Sequence, residues 1–336
     1  MAKHRQKQAA VQYKGQVVWI LEASSLSGGV RCIYEMARGL LNKGWEQMFF
    51  SLNERPNWWD TKRFGWKQFK NYDEMLPHIK ALPPQDKVLA SWWKTALVLE
   101  AAKHPNSYYL VQDLESSYYS AQNFQRTVMN TYTLGLKMFT TSHWVETSLF
   151  GVEYVGIGFR PDNFKPTRKD RHVMTIGRKQ QIKGFSYLVE MVQRLTKELA
   201  MPIVITSLDK TVDLGGMSVT KVGLSDQQMA TEYGKSLYYI CTSQHEGFGL
   251  PILEAMASGC CVVTTACDGP ENNFCVDGEN CLIVSRDDPR EMVAALRKLD
   301  TNAALRDKLI AGGIAMAKQW EWKPVFDRLD AYLENS

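Results

Sequence analysis

Short apolar runs rich in β-branched residues alternate along this chain with stretches of helical period, a pattern that predicts parallel sheets wrapped by helices. Residues 16–21 read as a buried strand, followed by a small-residue loop at 23–29. A helix is expected at 30–42, with Ile33, Ala37, Leu40 and Leu41 on one face. Further strands are expected at 87–91, 107–112 and 137–141, with a helix at 94–103 and a short one running from the Ser142 cap to Phe150. A polar, proline-bearing stretch at 158–171 then interrupts the pattern, and the alternation restarts. Strands are expected there at 172–176, 202–206, 237–242, 260–265 and 281–284. Helices are expected at 185–199 and 225–235, from Pro251, and from Pro289 to the end. The fold class is α/β, with two doubly wound units in tandem. The expected division is 1–163, 164–316 and a terminal helical segment 317–336, with 1–14 forming a basic arm.

A length of 336 residues suits two such domains, and 23% charged with 45% hydrophobic residues describes an ordinary globular chain. The longest apolar runs, such as 17–21, are far shorter than the roughly 18 residues a membrane-spanning helix needs. The basic start has no apolar core, so no secretory signal is expected. Seven cysteines without a C-x-x-C pair read as reduced thiols, and the expected location is cytoplasmic. The net charge of +4 is unevenly spread. Residues 1–165 carry 20 Lys+Arg against 14 Asp+Glu, the rest 20 against 22, and eight of the ten tryptophans precede residue 145.

Candidate chemistry concentrates in Ser243–Gly259. Glu246 lies in a glycine-rich turn after a strand, and Glu254 lies eight residues on, inside the next helix. Both can face a ligand at the carboxyl end of a sheet, where open α/β folds bind ligands. A carboxylate can accept two hydrogen bonds from a vicinal diol. Gly247 and Gly249 permit close backbone approach, and the N–H groups opening the Pro251 helix can receive phosphate oxygens. The plainer reading makes Glu246 a turn residue and Glu254 a helix-surface carboxylate. A second cluster, Gly177 to Gly184, places Arg178 and Lys183 after the first strand of the second half. There they can neutralise a diphosphate, or form a solvated basic loop. Gly28 and Gly29 sit between a strand and a helix but fit neither a dinucleotide fingerprint nor a P-loop.

Together these residues resemble the retaining glycosyltransferases of family four, which have the GT-B fold. The segment from Glu246 to Glu254 matches that family's E-x7-E signature and extends through Ala255, Met256, Ala257 and Gly259. The resemblance also takes in the Gly28–Gly29 loop, the Gly177–Gly184 loop, residues 224–229 and the terminal tryptophan-bearing segment. It implies two Rossmann-like domains facing a central cleft, with a C-terminal helix crossing back to the first. By the same resemblance, Glu254 binds ribose hydroxyls, Glu246 contacts the transferred sugar, and Arg178 with Lys183 holds the donor diphosphate. The resemblance also makes Gly247, Phe248, Gly249, Leu250, Gly28 and Gly29 donor-binding positions. Where many members of the family carry a histidine, this chain has Gln112 and Asp113. These two and His143 are candidate acceptor or sugar contacts. Asp113 and Glu115 read equally as a loop with a helix cap.

No D-x-D sequence occurs, so no metal is expected and no cofactor beyond the nucleotide-diphosphate sugar donor. The clustered cysteines 260, 261, 267, 275 and 281 lack zinc-site spacing. The expected activity is sugar transfer to a glycan, lipid-linked or other hydroxyl acceptor in polysaccharide or glycoconjugate assembly, with retention and without metal. Alternatives are a transferase acting on modified DNA bases or another nucleic-acid-binding protein, a non-catalytic sugar-nucleotide-binding protein, and a sugar-nucleotide epimerase. The basic arm and the aromatic, basic residues 53–70 can stack sugars, meet a membrane surface or nucleic acid, or simply pack on the first domain.

Overall fold

The computed structural model describes residues 12–336. Among them, the first sheet takes strands β1 (Gly15–Leu21), β2 (Trp45–Ser51), β3 (Gly65–Gln68), β4 (Lys87–Ala90), β5 (Ser107–Val111), β6 (Lys137–Thr140) and β7 (Val152–Tyr154). Helices α1 (Gly28–Leu41), α2 (Tyr72–Lys80), α3 (Trp93–Ala102), α4 (Gln122–Thr131) and α5 (His143–Ser148) connect them. The second sheet takes β8 (Asp170–Ile176), β9 (Ile203–Ser207), β10 (Ser218–Val222), β11 (Ser236–Cys241), β12 (Cys261–Thr265) and β13 (Leu282–Val284). Its helices are α6 (Phe185–Glu198), α7 (Asp226–Lys235), α8 (Leu250–Ala257), α9 (Asp268–Asn273), α10 (Pro289–Thr301) and α11 (Ala303–Ala317); α12 (Trp322–Asn335) closes the chain.

Both sheets are parallel, in the orders β3-β2-β1-β4-β5-β6-β7 and β10-β9-β8-β11-β12-β13. Helices cover both faces of such sheets, which explains why Val17 to Leu21 and Tyr108 to Val111 are almost wholly buried rather than alternating. In each sheet the winding reverses beside its first strand, between β1 and β4 and between β8 and β11. At such a switch point the loops leaving adjacent strands diverge and open a crevice at the carboxyl edge.

Packing divides the chain into two units. Of the described residues, one holds 12–140 with Leu149–Val155 and Lys323–Ser336; the other holds Thr141–Ser148 and Gly156–Trp322. The division differs from the expected cuts at 163/164 and 316/317. Phe159 bridges to Glu321 and Phe164 packs edge-on against Tyr233, so the chain joins the second unit from Gly156. Trp320 packs on Phe248 and Phe274, which keeps residues up to 322 there. Helix α12 packs back on the first unit. Phe326 lies against Gly39 of α1, and Asp330 accepts hydrogen bonds from Lys14 and Trp45 Nε1 at 2.8 Å each.

Residues 53–70 contain the short strand β3, and their aromatics pack within the first unit. Phe64 and Phe69 are buried, Trp66 stacks on Phe49, and Trp58 packs on Tyr34. Most of the basic arm lies outside the described residues; its Lys14 also pairs with Glu334. Among the described residues no helix is long and apolar enough to cross a membrane.

Candidate active site

Strands β8 and β11 are hydrogen-bonded neighbours at the second sheet's switch point, so the loops leaving them share one crevice. The β8 loop carries Arg178 and Lys183, and the β11 loop carries Ser243 to Gly249. Backbone bonds stitch the two loops together: the N–H groups of Gln244 and His245 both donate to Ile182 O, at 3.0 and 3.2 Å. Contact is closest at Gly184, where φ is +67° and a Cβ would lie 1.7 Å from Thr242 O. Only glycine meets both demands. Gly249, with φ +92°, ends the second loop and begins α8 without a side-chain cap; Ile252 N donates to Gly249 O at 2.9 Å, and Pro251 has no N–H to offer.

Lys183 is buried in this crevice. Its Nζ donates to His245 O at 2.9 Å and lies 3.0 Å from Glu246 Oε2. Ser243 Oγ donates to Glu246 Oε1 at 2.7 Å, and Arg178, more exposed, stands 3.9 Å from the same oxygen. Burial would push the Glu246 carboxyl up, but Lys183, Arg178 and the Ser243 hydroxyl outweigh it and hold the group below the usual carboxylate value. Two cations against one carboxylate leave a net positive crevice. It is partly open to solvent, and Arg178, Lys183, Glu246 and Gly249 line it. This arrangement suits an anionic ligand with hydroxyl groups nearby.

Glu254 sits on α8, half-buried, beside the phenol of Tyr233. Burial, then the charges of neighbouring groups including Glu254, push the Tyr233 phenol well up. Burial, then the charges of Cys241, Glu246 and Glu254, push the Tyr239 phenol well up, while Arg178 opposes them. Gly247 and Phe248 form the intervening turn and Leu250 opens α8. The Phe248 side chain turns inward onto Phe274 and Trp320, at ring-centroid distances of 5.2 and 4.9 Å, leaving only its backbone for a ligand.

Gly28, Gly29, Gln112 and Asp113 lie in the first unit. Gly29 opens α1 so close to Gln112 that a Cβ there would be 3.0 Å from Gln112 Oε1. The Asp113 carboxylate accepts from Leu114 N and Tyr118 Oη at 2.8 Å each, fixing its own loop. Glu115 caps α3 by accepting from Trp93 N at 2.6 Å. His143 starts α5, in the second unit, with Nδ1 2.8 Å from Glu146. Sequence reasoning missed Ser243, which lies three residues before Glu246 in a tight turn, and the His245 carbonyl, which nothing in a side-chain pattern signals. Among the described residues no three His, Cys, Asp or Glu side chains are grouped to hold a metal ion.

Residues 170–302 match the family model described as glycosyl transferases group 1. The matched segment contains every candidate of the charged crevice. Among curated proteins similar to this chain, the D-inositol 3-phosphate glycosyltransferase of Nocardioides sp. is 34% identical over 100 residues, 30% of this chain and 22% of the relative. The O-antigen biosynthesis protein RfbC of Myxococcus xanthus is 28% identical over 281 residues, 77% of this chain and 21% of the relative. The chain thus spans about a fifth of the length of each. Among solved structures, Anabaena HepE in complex with UDP-glucose superposes with a TM-score of 0.82 at 13% identity, covering 96% of this chain and 100% of that one. At that identity the likeness speaks for fold alone, and the fold is GT-B.

Proposed function

We propose that the chain is a retaining, metal-independent glycosyltransferase. It moves a sugar from a nucleotide-diphosphate donor to a hydroxyl acceptor in polysaccharide or glycoconjugate assembly. The observation that carries this reading is the convergence of Arg178, Lys183 and Glu246 at the β8–β11 switch point, beside the start of α8. The HepE neighbour holding UDP-glucose and the relative named for O-antigen biosynthesis support the donor and acceptor classes.

In this reading the donor diphosphate lies against Arg178 and Lys183 at the start of α8, and these cations meet the charge that develops as the sugar leaves. Glu246, already aimed by Ser243 and Lys183, accepts from sugar hydroxyls, and Glu254 accepts from the ribose diol. The acceptor oxygen approaches the anomeric carbon on the face the diphosphate leaves. The carbon–oxygen bond to phosphate breaks as the new glycosidic bond forms, and the acceptor proton passes to the departing phosphate oxygen.

The test is a panel of nucleotide sugars incubated with the protein, reading thermal stabilisation and release of nucleoside diphosphate. The expected result is one preferred donor, with the anomeric configuration retained on an acceptor and turnover unaffected by EDTA. A Glu254→Ala variant binding the nucleoside diphosphate as tightly as wild type would remove Glu254 from the ribose role. A protein stabilised by no donor would overturn the reading.

A further inference from the structure

We propose that Trp144 is a positioning residue for the phosphate end of this site, acting through His245 on Lys183; the proposal rests on the donor-site reading above. Helix α5 comes from the first half of the chain, between β6 and β7 of the first sheet, yet it packs as part of the second unit. Asn273 of α9 clamps its start. Asn273 Oδ1 accepts from His143 N at 3.0 Å, and its Nδ2 donates to Ser142 Oγ at 3.0 Å. Val145 is fully buried in the same contact. The six-residue helix is therefore held by packing and by a polar grip.

That grip sets Trp144 against His245, with ring centroids 5.2 Å apart and planes inclined at 66°. His245 is thus fixed from three directions: Trp144 on its ring, Ile182 O on its N–H at 3.2 Å, and Lys183 Nζ on its carbonyl at 2.9 Å. The carbonyl bond matters for aim. Glu246 pulls the same ammonium from 3.0 Å, and the two acceptors together decide where Lys183 points. Loss of the aromatic neighbour removes one of these restraints and lets the His245 carbonyl shift. The balance at the ammonium then tips toward Glu246, away from the position a phosphate needs. Partners that orient a binding group in this way commonly change affinity without touching the ligand.

The experiment compares wild type with Trp144→Leu, which keeps apolar bulk, and Trp144→Phe, which keeps a ring. Affinities for UDP, GDP, ADP and CDP are measured by calorimetry, and those for the parent nucleosides by ligand-observed NMR. For the diphosphate that wild type binds, Trp144→Leu is expected to weaken affinity about tenfold while nucleoside affinity stays within about twofold, and Trp144→Phe restores most of the loss. Asn273→Ala, which loosens α5 at its other contact, is expected to give the same selective loss. Equal weakening of nucleoside and diphosphate, or none in Trp144→Leu, would overturn the positioning role alone. A wild-type protein that binds none of the four diphosphates would overturn the donor-site reading beneath it.

Discussion

Lys183 Nζ lies 3.0 Å from Glu246 Oε2, with the lysine side chain 7% and the glutamate 14% exposed. An ion pair so enclosed is a poor source of net stability, but removing one partner strands the other charge. Lys183→Met is therefore expected to cost about 3–5 kcal/mol in urea unfolding, and Lys183→Met with Glu246→Gln to recover much of it. The low carboxyl value of Glu246 fixes the sign of its pH dependence. Its stabilisation is present above the ordinary carboxylate value of 4.5 and is lost as pH falls below it. Glu246→Gln should lack that share of acid destabilisation, measured as unfolding midpoints between pH 3 and 6.

Arg178 tests charge with less burial. Its side chain is 39% exposed and 3.9 Å from Glu246, so the pair contributes little to the fold. Arg178→Ala is expected to change unfolding free energy by less than about 1 kcal/mol. The same change should weaken nucleoside diphosphate binding about tenfold or more, because a fixed cation facing phosphate is lost. Arg178→Lys should recover only part, since an ammonium lacks the planar fork. Isothermal titration separates these outcomes, and equal affinity in Arg178→Ala would take the residue out of the site.

The second-unit site was legible in sequence because its parts follow strands directly. Arg178 and Lys183 come after β8 and Glu246 after β11, and parallel topology brings those strand ends together. Strand β8 and the helix from Pro251 announce themselves by apolar runs and a proline. Strands β3 and β10, GWKQ and SVTKV, did not, because edge strands need no continuous apolar run. The capping role of Glu115 was one of two readings its loop allowed, and only the approach of Trp93, 22 residues away, decides it. The contact of Trp144 with His245 was not legible, since it joins positions about a hundred residues apart across the expected domain cut. No local pattern encodes such a pairing.

Two glycines of α1 should respond in opposite directions. At Gly39 a Cβ would fall 2.1 Å from Phe326 Cδ1, so Gly39→Ala must push α12 away or turn the Phe326 ring. A loss of about 1–3 kcal/mol is expected, with easier proteolysis of the terminal helix. At Gly28 nothing lies within 4 Å, and the position begins a helix capped by Ser27. Gly28→Ala should be neutral or stabilising by up to about 1 kcal/mol. Thermal melts of the two variants side by side check the contrast.

Glu115 supplies the opposite pH signature from Glu246. Its carboxylate accepts from Trp93 N at 2.6 Å and Tyr109 Oη at 2.9 Å, and the residue is 2% exposed. Burial dominates, the Tyr109 and Trp93 bonds oppose it, and Asp113 and Glu22 add to it, so the group is pushed up to about 8 from an ordinary 4.5. The folded chain then holds a proton that the unfolded chain has released between those values. Stability must fall as pH rises through that window, by an amount on the order of a few kcal/mol. Glu115→Gln keeps an acceptor for Trp93 and Tyr109 but cannot ionise. Unfolding midpoints of the two proteins are therefore expected to lie close together at pH 5 and to separate toward pH 9, with the variant the more stable. Parallel curves over that range would mean that Glu115 is already ionised in the fold, and its cap on α3 would then be an ordinary carboxylate bond.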